Sequence, residues 1–128
     1  MKNATSQLRV LVIDDNAEGA EALCALLGTW GCKTAVAFDG NRGVATAASF
    51  DPHLAFIDLE MPGMGGYEVA RRLRASHSHS TPKLICLTGR GQPDSRRTCI
   101  EVGFDNFFIK PMAPQRLARV VAAACAAL

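Results

Sequence analysis

Four apolar runs of this sequence are each followed by residues that can take part in phosphoryl chemistry. LRVLVI, residues 8–13, precedes Asp14 and Asp15, and HLAFI, residues 53–57, precedes Asp58. KLICL, residues 83–87, and NFFI, residues 106–109, precede Thr88 and Lys110. Carboxylates are the oxygen ligands that Mg²⁺ prefers, and a carboxylate can also act as a nucleophile toward phosphorus. These side chains indicate metal-assisted phosphoryl transfer, provided that the fold brings them together.

The charges of these residues predict a bound cation. Clustered carboxylates repel one another and raise one another's pKa unless a cation lies among them. Near neutral pH the aspartates contribute roughly −3 and Lys110 +1, so the site carries about −2, and Mg²⁺ would bring it to about zero. Attack of Asp58 on phosphorus would then form an aspartyl phosphate, whose oxygens Lys110, Thr88 and loop N–H groups would hold. We expect a Mg²⁺ site, with Mn²⁺ as an alternative metal.

The elements that must position these side chains alternate between strands and helices. Short continuous apolar runs are typical of strands covered on both faces, and helical spacing with proline and glycine marks the helices. The predicted strands are 8–13, 33–38, 53–57, 83–87 and 106–109. The predicted helices are one that ends at Gly31, then 41–50, 64–75, one from Pro93 and Asp94 to Gly103, and one from Pro114 to Ala126.

This alternation predicts an α/β fold with right-handed crossovers and a five-stranded parallel sheet. We expect the flavodoxin-like, doubly wound (βα)5 arrangement with strand order 2-1-3-4-5, in which ligands bind between the carboxyl ends of strands one and three. The polar residues that follow strands one, three, four and five then meet at one edge. Each has a simpler interpretation by itself: Asp15 could cap the first helix, and a lone Thr or Lys could be a solvated surface residue.

Glycines accompany the polar residues in the segments PGMGG and TGRG. Gly89 directly follows Thr88 and would leave room for a phosphoryl group. Gly63, Gly65 and Gly66 would permit a tight loop whose backbone reaches the metal.

Length and composition argue against several other classes of protein. The 128 residues suit one domain that buries roughly two thirds of its unfolded surface. Apolar runs of about six residues are far shorter than the ~20 that cross a bilayer, and no leader is evident, so we expect a cytoplasmic protein without membrane contact. The net charge of +2 and the scattered arginines give no basis for direct binding of nucleic acid.

The cysteines and histidines do not form an evident metal motif. The five cysteines are odd in number and lack CxxC spacing, so we interpret them mainly as small buried hydrophobic residues. His77 and His79 alternate within SHSHS, which favours a polar loop over a metal site. His53 is expected to cap or begin a strand.

The segments VLVIDDN, FIDLEMPGMGGYE, LICLTG and FFIKP resemble the receiver domain of two-component response regulators, in order and spacing, from about residue 8 to residue 127. The resemblance implies that Asp58 is the phosphoacceptor and that Asp14, Asp15, Asp58 itself and the Glu60 backbone carbonyl bind Mg²⁺. Thr88 and Lys110 would contact the phosphoryl group. Phe107 would be an aromatic switch whose ring turns inward as Thr88 moves toward the phosphate; a plain core role is the alternative.

The stretch LTGRGQPDSRRTCIEVGFDNFFIKP further resembles receivers of hybrid sensor histidine kinases. The implied partners are a histidine kinase or a histidine phosphotransfer protein, and phosphorylation would change the face formed by the fourth helix, fifth strand and fifth helix. Residues 1–7 would be a tail and 8–128 the domain. The resemblance implies a phosphoacceptor that assists its own phosphorylation and dephosphorylation rather than an enzyme. Both a free-standing regulator and one domain of a larger kinase are compatible with the sequence.

Glu60 and Arg90 each lie two residues beyond a site residue and carry opposite charges. We hypothesise that they pair across the site and restrict the water that hydrolyses the phosphoryl group, although an exposed pair is worth at most about 1 kcal/mol.

Three other functions compete with a phosphorylated receiver. A flavodoxin-like electron carrier would share the expected fold, but Asp14 and Asp15 after strand one of this chain would repel the flavin phosphate. An aspartate-nucleophile phosphatase resembles a different pattern, Asp-x-Asp after strand one, and usually carries a cap. A receiver-like module that binds proteins without being phosphorylated is the third.

Overall fold

The computed structural model describes residues 8–76, 82–89 and 95–128, which form one parallel sheet with helices on both faces. The strands are β1 Arg9–Ile13, β2 Lys33–Ala37, β3 Leu54–Asp58, β4 Lys83–Thr88 and β5 Asn106–Ile109. The helices are α1 Ala17–Thr29, α2 Gly40–Phe50, α3 Gly66–Ser76, α4 Ser95–Val102 and α5 Pro114–Ala126. The sheet order is β2-β1-β3-β4-β5 and every neighbouring pair is parallel. The predicted fold class and strand order are confirmed.

The sheet separates two hydrophobic cores. Along β1, Leu11 and Ile13 belong to one core and Val10 and Val12 to the other, because successive side chains of a strand point to opposite faces. The first core contains buried residues of α2, α3 and α4, and the second contains buried residues of α1 and α5. The central strand β3 is buried along its whole length. This rigid sheet fixes the positions of the residues at its carboxyl edge.

Several element ends differ from the predicted ones. Asp58 is the last residue of β3 rather than the first residue after it. Helix α3 begins at Gly66, two residues later than predicted, because the loop from Leu59 closes with a backbone hydrogen bond from Gly66 to the Leu59 carbonyl. The N-cap of α1 is Asn16, whose side chain accepts the Gly19 N–H, so the alternative role of Asp15 as that cap is wrong. Pro93 and Asp94, the predicted start of the fourth helix, lie outside the described residues.

The cysteines are free, with Cys32, Cys86 and Cys99 buried and Cys24 and Cys125 partly buried. His53 directly precedes β3, and its Nδ1 accepts the backbone N–H of Arg9 at 2.9 Å. His77 and His79 lie outside the described residues. Within the described part of the chain, none of the helices has the length and apolar character to span a bilayer.

Candidate functional site

The ends of β1, β3, β4 and β5 are held side by side at the carboxyl edge of the sheet. Backbone hydrogen bonds continue the strand pairing past these ends: Leu59 N–H donates to the Leu87 carbonyl at 3.0 Å, and Lys110 N–H donates to the Thr88 carbonyl at 2.8 Å. Each strand therefore delivers its polar residue to the same place. The gathering of these residues, predicted from the strand order, is present in the structure.

Three aspartates converge at this edge. One carboxylate oxygen each of Asp14, Asp15 and Asp58 lies within 4.8 Å of the others. Asp14 and Asp58 are only 4% and 3% exposed, whereas Asp15 is exposed. The backbone N–H of Asn16 donates to Asp14 at 3.0 Å, and that of Glu60 donates to Asp58 at 3.2 Å. These bonds orient the two buried carboxylates from their own loops.

Lys110 connects the buried carboxylates across the sheet. Its Nζ lies 2.7 Å from Asp14 Oδ2 and 3.5 Å from Asp58 Oδ1. Burial alone would lower the pKa of Lys110, but the hydrogen bond to Asp14 and the charges of both aspartates outweigh it and raise that pKa above its ordinary value. The ammonium group therefore stays charged and offsets part of the negative charge of the cluster.

The surroundings of Asp58 shift the pKa of its carboxyl group strongly. Its pKa is raised from 3.8 to about 6 in all; burial is the largest cause, and the charge of Asp14 also acts to raise it. The Glu60 N–H and the charge of Lys110 act in the opposite direction. Without a metal, ionised Asp58 is thus held in an unfavourable environment, which a cation would relieve.

The donor set fits a hard divalent cation. The cluster offers carboxylate oxygens only, which suit Mg²⁺ or Mn²⁺ better than the softer metals that select sulfur or imidazole. One of its members, Asp15, is exposed, so a metal ion could reach the cluster from solvent.

Thr88 and Glu60 make a contact that the sequence did not reveal. The buried Thr88 hydroxyl donates to Glu60 Oε1 at 2.7 Å, and the Gly89 N–H donates to the same oxygen at 2.8 Å. The hypothesised partner of Glu60, Arg90, lies outside the described residues, so their pairing stays a hypothesis. The only sequence signal for the observed contact is that Glu60 and Gly89 follow adjacent strands.

Phe107 lies on β5 in register with Cys86 of β4 and is partly buried. It packs against the core that includes α3 and α4 residues, and the guanidinium of Arg96 on α4 lies 5.4 Å from the centre of its ring. This distance allows a cation–π interaction. Phe107 is thus neither fully buried nor free in solvent, and it joins β5 to α4.

Two glycines shape the loop between β3 and α3. Gly63 has φ +76°, which a residue with a side chain adopts only with strain. A Cβ on Gly66 would lie 2.5 Å from the Asp58 carbonyl oxygen, so the helix can approach the strand end only because Gly66 lacks one. At Gly89 a Cβ would make only an ordinary contact, 3.6 Å from Glu60 Oε1.

Comparison with known proteins agrees with this arrangement. Residues 10–122 match the family model of the response regulator receiver domain. The chain belongs to this family. Receiver domains are signalling modules of two-component systems, and this chain carries their fold with an acidic cluster at the expected edge.

Relatives of this receiver domain occur in proteins of different kinds. The DNA-binding response regulator MtrA of Mycobacterium tuberculosis is 35% identical over 113 residues, covering 88% of this chain and 48% of MtrA. The sensor histidine kinase GacS of Pseudomonas protegens is 32% identical over 117 residues, covering 88% of this chain and 13% of GacS. The chain spans about half the length of MtrA.

A solved structure of a two-component response regulator from Clostridium difficile supports the fold. It is 20% identical in sequence, has a TM-score of 0.86, and the match covers 92% of this chain and 95% of that one.

Proposed function

We propose that this receiver domain is the phosphoacceptor switch of a two-component phosphorelay, with Asp58 as the residue that is phosphorylated. The observation that carries the proposal is the placement of Asp58: a buried carboxylate at a strand end, clustered with Asp14 and Asp15 and 3.5 Å from the Lys110 ammonium. Several carboxylates gathered beside the Lys110 ammonium suit a site that accepts a metal ion and a phosphoryl group better than they suit a purely structural role.

In the proposed reaction, a carboxylate oxygen of Asp58 attacks the phosphorus of a phosphohistidine. The new O–P bond forms as the P–N bond breaks, and the electron pair of that bond remains on the imidazole nitrogen of the donor. The donor belongs to a histidine kinase or a histidine phosphotransfer protein. Asp58 is well suited to this role because the Glu60 N–H and Lys110 contact one of its oxygens, Oδ1, and keep the group oriented.

Asp14, Asp15, Asp58 and the backbone carbonyl of Glu60 would hold the metal ion. When bound, Mg²⁺ or Mn²⁺ would neutralise the carboxylates and polarise the phosphoryl oxygens. Asp14 also binds Lys110 at 2.7 Å, so it positions the ammonium group next to the nucleophile.

Phosphorylation would replace the single negative charge of the Asp58 carboxylate with a phosphoryl group that carries about two negative charges. Lys110 already lies beside Asp58 and would bind one phosphoryl oxygen. The Thr88 hydroxyl and the Gly89 N–H at the end of β4, which donate to Glu60 in this structure, would be further donors to the group. The same residues would assist later hydrolysis, so the domain is proposed as a switch with self-catalysed turnover rather than as an enzyme acting on another substrate.

The proposed output is a change of the face formed by α4, β5 and α5. Movement of Thr88 toward the phosphoryl group would open space behind β4 into which the Phe107 ring could turn, and this would disturb the contact of Phe107 with Arg96. Ile100 on α4 and Ile109 on β5 are 65% and 52% exposed, so this face offers apolar side chains to a protein partner. We propose residues 8–128 as the domain that carries both site and face.

Measurement of intact mass tests the proposal. The protein would be incubated with acetyl phosphate, with Mg²⁺ or with EDTA, as wild type, Asp58→Asn and Asp51→Asn. Asp51 is an exposed aspartate at the other end of the sheet, paired with Arg9, so it is a matched control. We expect a gain of one phosphoryl group in wild type and Asp51→Asn, only with Mg²⁺, and no gain in Asp58→Asn.

A folded wild type that gains no phosphoryl mass would contradict the proposal and favour a receiver-like module that binds proteins without phosphorylation. Rapid, repeated release of phosphate from simple esters would instead favour an aspartate-nucleophile phosphatase.

A further inference from the structure

The side chain of Glu60 reaches from the loop after β3 to the end of β4. There its Oε1 accepts the Thr88 hydroxyl at 2.7 Å and the Gly89 N–H at 2.8 Å. Both donors therefore converge on one carboxylate oxygen. This is the arrangement by which proteins bind an anionic oxygen, here supplied by the chain itself.

These two donors are the ones that the proposed function assigns to the phosphoryl group. A backbone N–H and a hydroxyl each carry one hydrogen, so neither can fully serve Glu60 and a phosphoryl oxygen at the same time. A phosphoryl group on Asp58 would have to take these donors from Glu60, or be held without them.

Charge adds to this competition. Phosphorylated Asp58 carries about two negative charges, and the Glu60 carboxylate would lie beside them if it kept its present contacts. Glu60 is exposed, so it can turn into solvent without losing a buried environment. The contact is therefore of a kind that can be exchanged rather than a fixed part of the core.

We propose that the Glu60 carboxylate is an internal competitor of the phosphoryl group for the Thr88 hydroxyl and the Gly89 N–H. This inference rests on the proposed function and adds a residue that tunes it. In the unphosphorylated domain Glu60 satisfies both donors and keeps Thr88 in its resting arrangement. Phosphorylation must displace it, so Glu60 weakens binding of the phosphoryl group and favours the inactive state.

The test uses beryllium trifluoride, an anion that mimics a phosphoryl group on a carboxylate. Its affinity would be measured by titration calorimetry at saturating Mg²⁺, so that an effect of Glu60 on the affinity for the metal does not change the measured affinity for beryllium trifluoride. The proteins are wild type, Glu60→Gln, Glu60→Ala and Glu21→Gln. Glu21 is an exposed residue of α1, so Glu21→Gln controls for the loss of one negative charge.

We expect Glu60→Ala to bind beryllium trifluoride about tenfold more tightly than wild type, since it frees two donors from a charged acceptor. Glu60→Gln keeps the size and an acceptor oxygen but lacks the charge, so it should lie between wild type and Glu60→Ala. Glu21→Gln should match wild type.

The amide resonance of Gly89 gives a second readout, which does not depend on phosphorylation. In the unliganded protein we expect Glu60→Ala to shift this resonance upfield and to speed its exchange with solvent, because the N–H loses its carboxylate partner. Beryllium trifluoride should restore a downfield position.

The outcomes separate this inference from the proposed function. If wild type binds beryllium trifluoride but both Glu60 variants bind it equally or more weakly, the competition is refuted while the phosphoacceptor site stands. If neither wild type nor any variant binds it, the proposed function is refuted and the competition with it. Circular dichroism of each variant establishes that it is folded.

Discussion

Replacement of Asp58 by asparagine should stabilise the metal-free protein. Asp58 is buried beside Asp14, and its carboxylate must ionise in a place where water cannot solvate it well. Asparagine has almost the same shape and keeps an oxygen for the Glu60 N–H, which donates to Asp58 at 3.2 Å. The variant therefore removes charge while it conserves packing.

The size of the effect follows from the pKa of Asp58. Its pKa is raised from 3.8 to about 6 in the folded state, mainly by burial. A rise of roughly 2 units, at about 1.4 kcal/mol per unit, means that ionised Asp58 lowers the free energy of unfolding by up to about 3 kcal/mol. We expect a measured gain of about 1–3 kcal/mol for Asp58→Asn at pH 7.

The pH dependence has a definite sign. Between pH 3.8 and about 6, the folded state keeps the Asp58 proton that the unfolded state has lost. Stability therefore falls as the pH rises through this window, and the full penalty is present above it. Below the window both states are protonated, so the advantage of Asp58→Asn disappears.

Urea unfolding of both proteins in EDTA, from pH 4 to pH 8, measures this difference, and subtraction removes the titration of all other groups. Excess Mg²⁺ should reverse the order, because it binds the folded wild type more tightly than the variant. A variant that is no more stable than wild type at pH 7 in EDTA would refute the reasoning, as would an advantage that is the same at pH 4 and pH 7.

Three further predictions concern Lys110 in the site and two contacts that hold the fold. Lys110→Gln should phosphorylate about 100-fold more slowly with acetyl phosphate, because one charged donor is lost; an unchanged rate by mass spectrometry would contradict this. Gly66→Ala should lower the free energy of unfolding, measured in urea, by about 1–3 kcal/mol, because the added Cβ would meet backbone atoms at 2.5 and 2.9 Å. The control is Gly28→Ala on α1, where the added Cβ meets open space; it should raise the free energy of unfolding by about 0.5–1 kcal/mol. Arg74→Ala should lower the free energy of unfolding by about 1–3 kcal/mol, since the Arg74 guanidinium donates to the Pro82 and Gly103 carbonyls and to Asp105. Arg71 is exposed, so Arg71→Ala should lower the free energy of unfolding by under about 0.5 kcal/mol. Equal effects of the two substitutions would contradict this prediction.

The acidic cluster could be predicted because it depends on the ends of strands. A buried parallel strand has a distinctive apolar run, and the residue after the run must lie at the carboxyl edge of the sheet. Asp14, Asp58, Thr88 and Lys110 all follow this rule. Once the strand order is known, their proximity needs no knowledge of side-chain conformation.

The contacts of Glu60 and Arg74 could not be predicted in the same way. Glu60 lies in a loop and reaches Thr88, 28 residues away, and Arg74 reaches Asp105, 31 residues away. Such contacts depend on loop geometry and on the rotamers of long side chains, which leave no periodic signal in the sequence. The choice of Asn16 over Asp15 as the cap of α1 likewise depends on a one-residue difference in where the helix begins.

The unfavourable charge of the site and its function have one physical origin. The sheet buries Asp58 beside Asp14; burial above all, and then the charge of Asp14, raises the pKa of Asp58 and costs stability in the metal-free protein. The same proximity gives a cation or a phosphoryl group large interaction energies with the folded state alone, because the unfolded chain has no such cluster. Lys110 reduces this loss of stability without removing it, since one ammonium group faces two buried carboxylates. A site fully neutralised by a second lysine would be more stable, but it would repel the metal ion on which the proposed phosphoryl transfer depends.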